Sequence, residues 1–136
     1  MAQLLAFPVL VADKVVSPPL APEAQVIDRT HLFRMTLGDH DLECEVLRLF
    51  DQQAGLLLAR MVEADAAGIA ALAHTLKGSA GGVGAFGVAR AAEAVEAAAK
   101  TKTSDKTGAG ELPPAMSVLS SAIVDAHAAI AEILRA

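Results

Sequence analysis

His74, Lys77 and Gly78 stand three and four residues apart in the stretch Ala73–Ala85, which reads Ala-His-Thr-Leu-Lys-Gly-Ser-Ala-Gly-Gly-Val-Gly-Ala. On a helix these three share one face. Ile69, Leu72, Ala73, Leu76, Ala80 and Val83 recur at the spacing of a core stripe. His74 lies two residues from Leu76, about 200° round the helix, and so points into solvent. An imidazole displayed in this way is a nucleophile, because its neutral form carries a free nitrogen lone pair. A lysine one turn on can balance the charge of a phosphoryl group on that nitrogen. A glycine beside it leaves room for the surface of another protein.

Two further readings of the segment fail on order and spacing. A phosphate-binding P-loop needs a glycine immediately before the lysine and a strand before the loop; Leu76 precedes Lys77, and Thr75 is no substitute. A helical metal site needs a second ligand about one turn away, and His31, His40, His74 and His127 are scattered. His127, three residues from Ile130 and four from Ile123, is expected to be a partly buried structural histidine.

The signature His74, Leu76, Lys77, Gly78, Ser79, Ala80 resembles the H-x-L-K-G-[SA]-[SA] motif of the histidine-containing phosphotransfer domains of multistep phosphorelays. The resemblance continues through Gly84, Val88, Ala92 and the pair Val95-Glu96, with departures at Gly81, Gly82 and Val95. It implies that His74 is the phosphoacceptor, relaying a phosphoryl group between aspartates of response-regulator receiver domains. Lys77 would stabilise phosphoryl charge, and Gly78, Ser79 and Gly81 would form the docking face. The partners implied are receiver domains and a hybrid sensor histidine kinase. The protein would carry no cofactor of its own, with Mg²⁺ on the receiver. Two alternatives stand beside this reading: a non-catalytic helical adaptor that binds receivers, and the phosphoacceptor domain of a chemotaxis-type kinase. The histidine-kinase phosphoacceptor pattern His-Glu-x-x-Thr-Pro is not matched.

Geometry alone singles out Glu96. If the chain turns near residue 85, position 74 lies opposite 96 and 77 opposite 93. A carboxylate on Nδ1–H of His74 would orient the ring and leave Nε2 free, and Glu93 would meet Lys77 in the same way. Two solvated glutamates are the plain alternative.

The elements that must position these groups are helical. Apolar residues make up 54% of the 136-residue chain, yet it has no Trp or Tyr and only four Phe. Such an Ala-, Leu- and Val-rich composition favours closely packed helices. Asp28 is the expected N-cap of a short helix through Leu37, ended by Gly38. Asp39 or Asp41 opens a longer helix to about Ala64, with Leu42, Val46, Leu49, Phe50, Leu57 and Met61 inward. Asp65 caps the helix bearing His74, which ends near Gly82, because Gly81, Gly82 and Gly84 each cost about 1 kcal/mol in a helix. Ala85–Lys100 buries Val88, Ala92, Val95 and Ala99. Residues 101–114 read as a mobile loop, and Pro114 begins a last helix that buries Met116, Leu119, Ile123, Ile130 and Ile133. The expected fold is all-α, an antiparallel up-down-up-down four-helix bundle with a short additional N-terminal helix.

Residues 26–136 would form this bundle. Residues 1–25, apolar but broken by Pro8, Pro18, Pro19 and Pro22, would be a partly ordered extension packed on the domain or on a second copy. The length suits one module, expected as a monomer, without a kinase domain alongside. A net charge of −5 with no basic cluster argues against a nucleic-acid surface. The chain shows neither an uninterrupted apolar run of membrane-spanning length nor the basic opening of a secretory signal. The lone Cys44 fits a reducing compartment and a small buried apolar role on a helix. Together these lead to an expected cytoplasmic location.

Overall fold

A computed structural model describes residues 25–104 and 111–136 of the protein. These form five helices: α1 (Arg29–Met35), α2 (His40–Glu63), α3 (Ala66–Val83), α4 (Phe86–Ser104) and α5 (Leu112–Arg135). There is no strand among the described residues. α2, α3, α4 and α5 each pack against the next, α5 returns to α2 to close the ring, and α1 rests on α3. The N-terminal extension lies almost wholly outside the described residues.

Three aspartates open three helices. Asp28, Asp39 and Asp65 have extended backbones, and their side chains accept from His31 N, Leu42 N and Gly68 N respectively. Each satisfies an amide that has no partner within its helix. Asp39, rather than Asp41, is the cap of α2. α1 is shorter than expected, ending at Met35, because Leu37 (φ 54°) and Gly38 (φ 76°) both take left-handed backbone.

The core is a sleeve of small and branched residues. Leu32, Leu47, Met61, Leu76, Val88, Val95, Leu119 and Ile130 are sealed from solvent, and alanines 73, 80, 92 and 99 let the helices approach closely. On α2 the inward stripe is Leu47, Phe50, Ala54, Leu57 and Met61, extended by Glu43. Leu42 and Leu49, expected inside, are exposed. They lie about 100° round the helix from that stripe's centre, so the true axis of burial runs through Leu47, a residue the expected stripe omitted.

Gly81 and Gly82 do not break α3. The helix continues to Val83, and the chain reverses at Gly84 alone, whose φ of 90° suits glycine. Burial of Ala80 and Val83 on either side outweighs the weak propensity of the glycine pair. α1 then clamps this corner. Asp28 N donates to Gly84 O (2.9 Å), His31 Nε2–H donates to Gly82 O (3.2 Å), and the His31 ring sits edge-on to Phe86. A Cβ on Gly84 would lie 2.9 Å from Asp28 O, so the corner needs glycine for space as well as for φ.

The expected loop over 101–114 is trimmed from both ends. α4 runs on to Ser104, and α5 starts at Leu112, which is buried. Residues 105–110 lie outside the described residues. Pro113 and Pro114 occupy the first turn of α5, where a missing N–H costs no helical bond. Leu119, Ile123 and Ile130 are buried as expected, joined by Leu112 and Ala126, whereas Met116 and Ile133 are only half-buried. By length and composition α5 could cross a membrane, yet here this face lines the core.

Candidate functional site

α3 and α4 meet across the Gly84 corner with His74 level with Glu96. His74 Nδ1 is 3.0 Å from Glu96 Oε2. A carboxylate can only accept, so Nδ1 carries the hydrogen and, in the neutral ring, Nε2 keeps its lone pair. The His74 side chain is 67% exposed while that of Glu96 is 9% exposed. The base of the imidazole is thus fixed against a nearly buried carboxylate, and its free edge faces outward.

Glu96 collects two more partners. Lys77 Nζ lies 3.3 Å from Oε1, and Lys100 Nζ lies 3.0 Å from Oε2. The Lys100 ammonium bonded to Glu96, assisted by that of Lys77, holds its carboxyl at about 2 against an ordinary 4.5, although burial acts in the opposite sense. Glu96 therefore stays ionised at neutral pH. Lys77 reaches Glu96 and not Glu93, correcting the pairing expected from the turn. Glu93 lines the same shallow cleft of about 260 Å³ with Lys77, Glu96, Ala97 and Lys100. Lys100 was missed, although its signal is plain: a lysine four residues after a glutamate on one helix.

The depressed Glu96 carboxyl makes folding stability depend on pH. The unfolded chain takes up this proton near its ordinary value, so the stability that Glu96 contributes is fully present above pH 4.5 and is lost as pH falls toward about 2. Glu96→Gln should flatten that segment of the stability profile in denaturant melts across this range. An unchanged slope would show that the carboxylate does not tie α3 to α4.

The three positions expected to accept a partner, Gly78, Ser79 and Gly81, lie one to two turns beyond His74 on α3. Gly78 is exposed, and a Cβ there or at Gly81 would meet nothing within 4 Å. Ser79 opens onto an apolar groove of about 230 Å³ between α2 and α3, lined by Val46, Leu49, Phe50, Gln53 and Val83.

The other histidines are apart from this site. His31 is engaged at the α3 corner. His127, expected to be partly buried, is 68% exposed, with Nδ1 held by both oxygens of Asp51 at 2.9 and 3.0 Å. Position 127 sits at the edge of the α5 stripe, where α2 offers an acidic partner in place of apolar cover. Cys44 is half-buried, its Sγ 3.7 Å from His40 Nε2, so it is less enclosed than expected. Among the described residues no group of three His, Cys, Asp or Glu side chains is placed to hold a metal ion.

No curated protein and no solved structure matches the chain. The family model described as Hpt domain matches residues 44–134, from the first turns of α2 to the end of α5. With two-thirds of the chain in that match and an exposed histidine held on its third helix, the protein belongs to the Hpt domain family, the phosphotransfer domains of phosphorelays.

Proposed function

We propose that the protein relays a phosphoryl group between receiver-domain aspartates through Nε2 of His74. The observation that carries this reading is the Nδ1–Glu96 hydrogen bond of 3.0 Å on a histidine whose other edge is open. In the transfer, the Nε2 lone pair attacks phosphorus. The bond from phosphorus to the aspartyl oxygen breaks, and the receiver's carboxylate leaves with that electron pair. The ring, still protonated at Nδ1, gains positive charge, and ionised Glu96 lies against that edge to stabilise it. Lys77, one turn from His74 on the same helix, supplies positive charge to the phosphoryl oxygens. Mg²⁺ would come with the receiver, as would most of the charge compensation that phosphoryl transfer demands.

Gly78 gives the incoming surface close access. The groove beside Ser79 gives it an apolar foothold, and Gly81 continues that face. In this reading α2 to α5 pack up-down-up-down in an antiparallel bundle, which would hold His74, mid-helix on α3, on a rigid wall. The partners in this reading are response-regulator receivers and a hybrid sensor histidine kinase. The protein acts as a cytoplasmic monomer and a phosphoryl carrier without turnover of its own.

The test is incubation with a panel of receiver domains carrying radiolabelled aspartyl phosphate and Mg²⁺. Label should move to the protein in an acid-labile, alkali-stable bond, the behaviour of a phosphoramidate. Stable receiver binding with no label would instead favour the non-catalytic adaptor. Lys77→Ala should keep the helical signal and slow uptake about fivefold, the worth of roughly 1 kcal/mol for a partly exposed charge contact. An unchanged rate would remove Lys77 from the chemistry.

A further inference from the structure

The Glu96 carboxylate is shared by two lysines that differ in what they can do next. Lys100 is on the same helix, one turn on, and bonds Oε2, the oxygen that also accepts from His74 Nδ1. Its ammonium is therefore held at the Nδ1 edge of the imidazole, away from the reacting nitrogen. Lys77 comes across from α3, bonds the other oxygen, and stands three residues from His74 on the helix that carries the reacting group. Of the two, Lys77 is the one positioned to turn toward a phosphoryl group on Nε2.

That turn has an electrostatic cost. Glu96 is nearly buried, and a carboxylate so enclosed cannot lose its only ammonium partner without exposing an uncompensated charge to a poorly solvating environment. With Lys100 in place, departure of Lys77 leaves Oε2 with both the Lys100 ammonium and the Nδ1–H. We propose that Lys100 is a positioning residue that keeps Glu96 compensated while Lys77 exchanges the carboxylate for the phosphoryl group. This rests on the phosphotransfer reading above and adds to it a handover between two lysines. The handover itself moves no proton and breaks no covalent bond; one ion pair is exchanged for another while the P–N bond forms and the aspartyl P–O bond breaks.

The handover distinguishes Lys100 from a second phosphate ligand. If Lys100 acts only by releasing Lys77, its loss matters only while Lys77 is present. Uptake of label from one phosphorylated receiver is measured on the full chain for the unaltered protein, Lys77→Met, Lys100→Met, Lys100→Arg and the Lys77→Met/Lys100→Met pair. Lys100→Met should slow uptake about fivefold, Lys100→Arg should restore it, and the pair should be no slower than Lys77→Met alone. In parallel, carbon-13 NMR of the Glu96 carboxyl should show its titration raised more by Lys100→Met than by Lys77→Met.

Multiplying losses would place Lys100 on the phosphoryl group and overturn the handover. So would uptake by Lys100→Met at the original rate, or a carboxyl titration governed mainly by Lys77. An unaltered protein that takes up no label from any receiver sinks the phosphotransfer reading itself, and the handover with it. Normal uptake by the unaltered protein with the wrong variant pattern sinks the handover alone.

Discussion

His74→Gln is expected to abolish phosphoryl uptake while leaving the helical fold in place. Glutamine has no nucleophilic nitrogen, yet its amide can still donate to Glu96. The replaced side chain is mostly exposed, so little packing is lost. The informative control is His127. It shares the carboxylate arrangement through Asp51, but among the described residues no ammonium group joins that pair. Without a neighbouring cation, phosphoryl charge on its ring would go uncompensated, so His127→Gln should take up label at the original rate. Mass spectrometry under alkaline conditions would locate the modification. Label retained on His74→Gln would overturn the assignment, and its position would identify the true acceptor.

The pairing of His74 with Glu96 was legible because it depends only on where the chain turns, and the turn is fixed by one glycine in left-handed backbone. The three aspartate caps were legible for a similar reason: capping is a local bond between a side chain and an amide three residues on. The misjudged features depend on neighbours far along the chain. Gly81 and Gly82 look like helix breakers, but tertiary burial on either side holds them in helix. Leu42 and Leu49 are as apolar as Leu47, and only the position of α3 and α5 around α2 decides which of them faces inward. His127 was drawn toward the core by the isoleucines beside it, whereas Asp51, remote in sequence, holds it at the surface. Lys100 had a local signal in its spacing from Glu96. Its importance emerges only when α3 brings His74 and Lys77 to the same carboxylate.

Gly78→Gln should move stability and function in opposite directions. Gly78 is interior to α3 and has no left-handed backbone, so the helix does not require a glycine there. A Cβ at this position meets open space, and glutamine is a far better helix former, so the variant should gain up to about 1 kcal/mol of stability. In the proposed relay, the same open space is what a receiver would need in order to bring its aspartyl phosphate to Nε2. A side chain projecting from the turn next to His74 would hold the two surfaces apart. Transfer depends steeply on approach, because attacking nitrogen and phosphorus must meet in line, and a misplacement of about 1 Å can cost a hundredfold in rate. Uptake should therefore fall by about that factor while the thermal midpoint rises. The His74–Glu96 hydrogen bond, monitored by nitrogen-15 NMR of the imidazole, should be unaltered, which separates obstruction of docking from damage to the acceptor. A variant that is more stable and still accepts phosphate at the original rate would place the docking face elsewhere on the bundle.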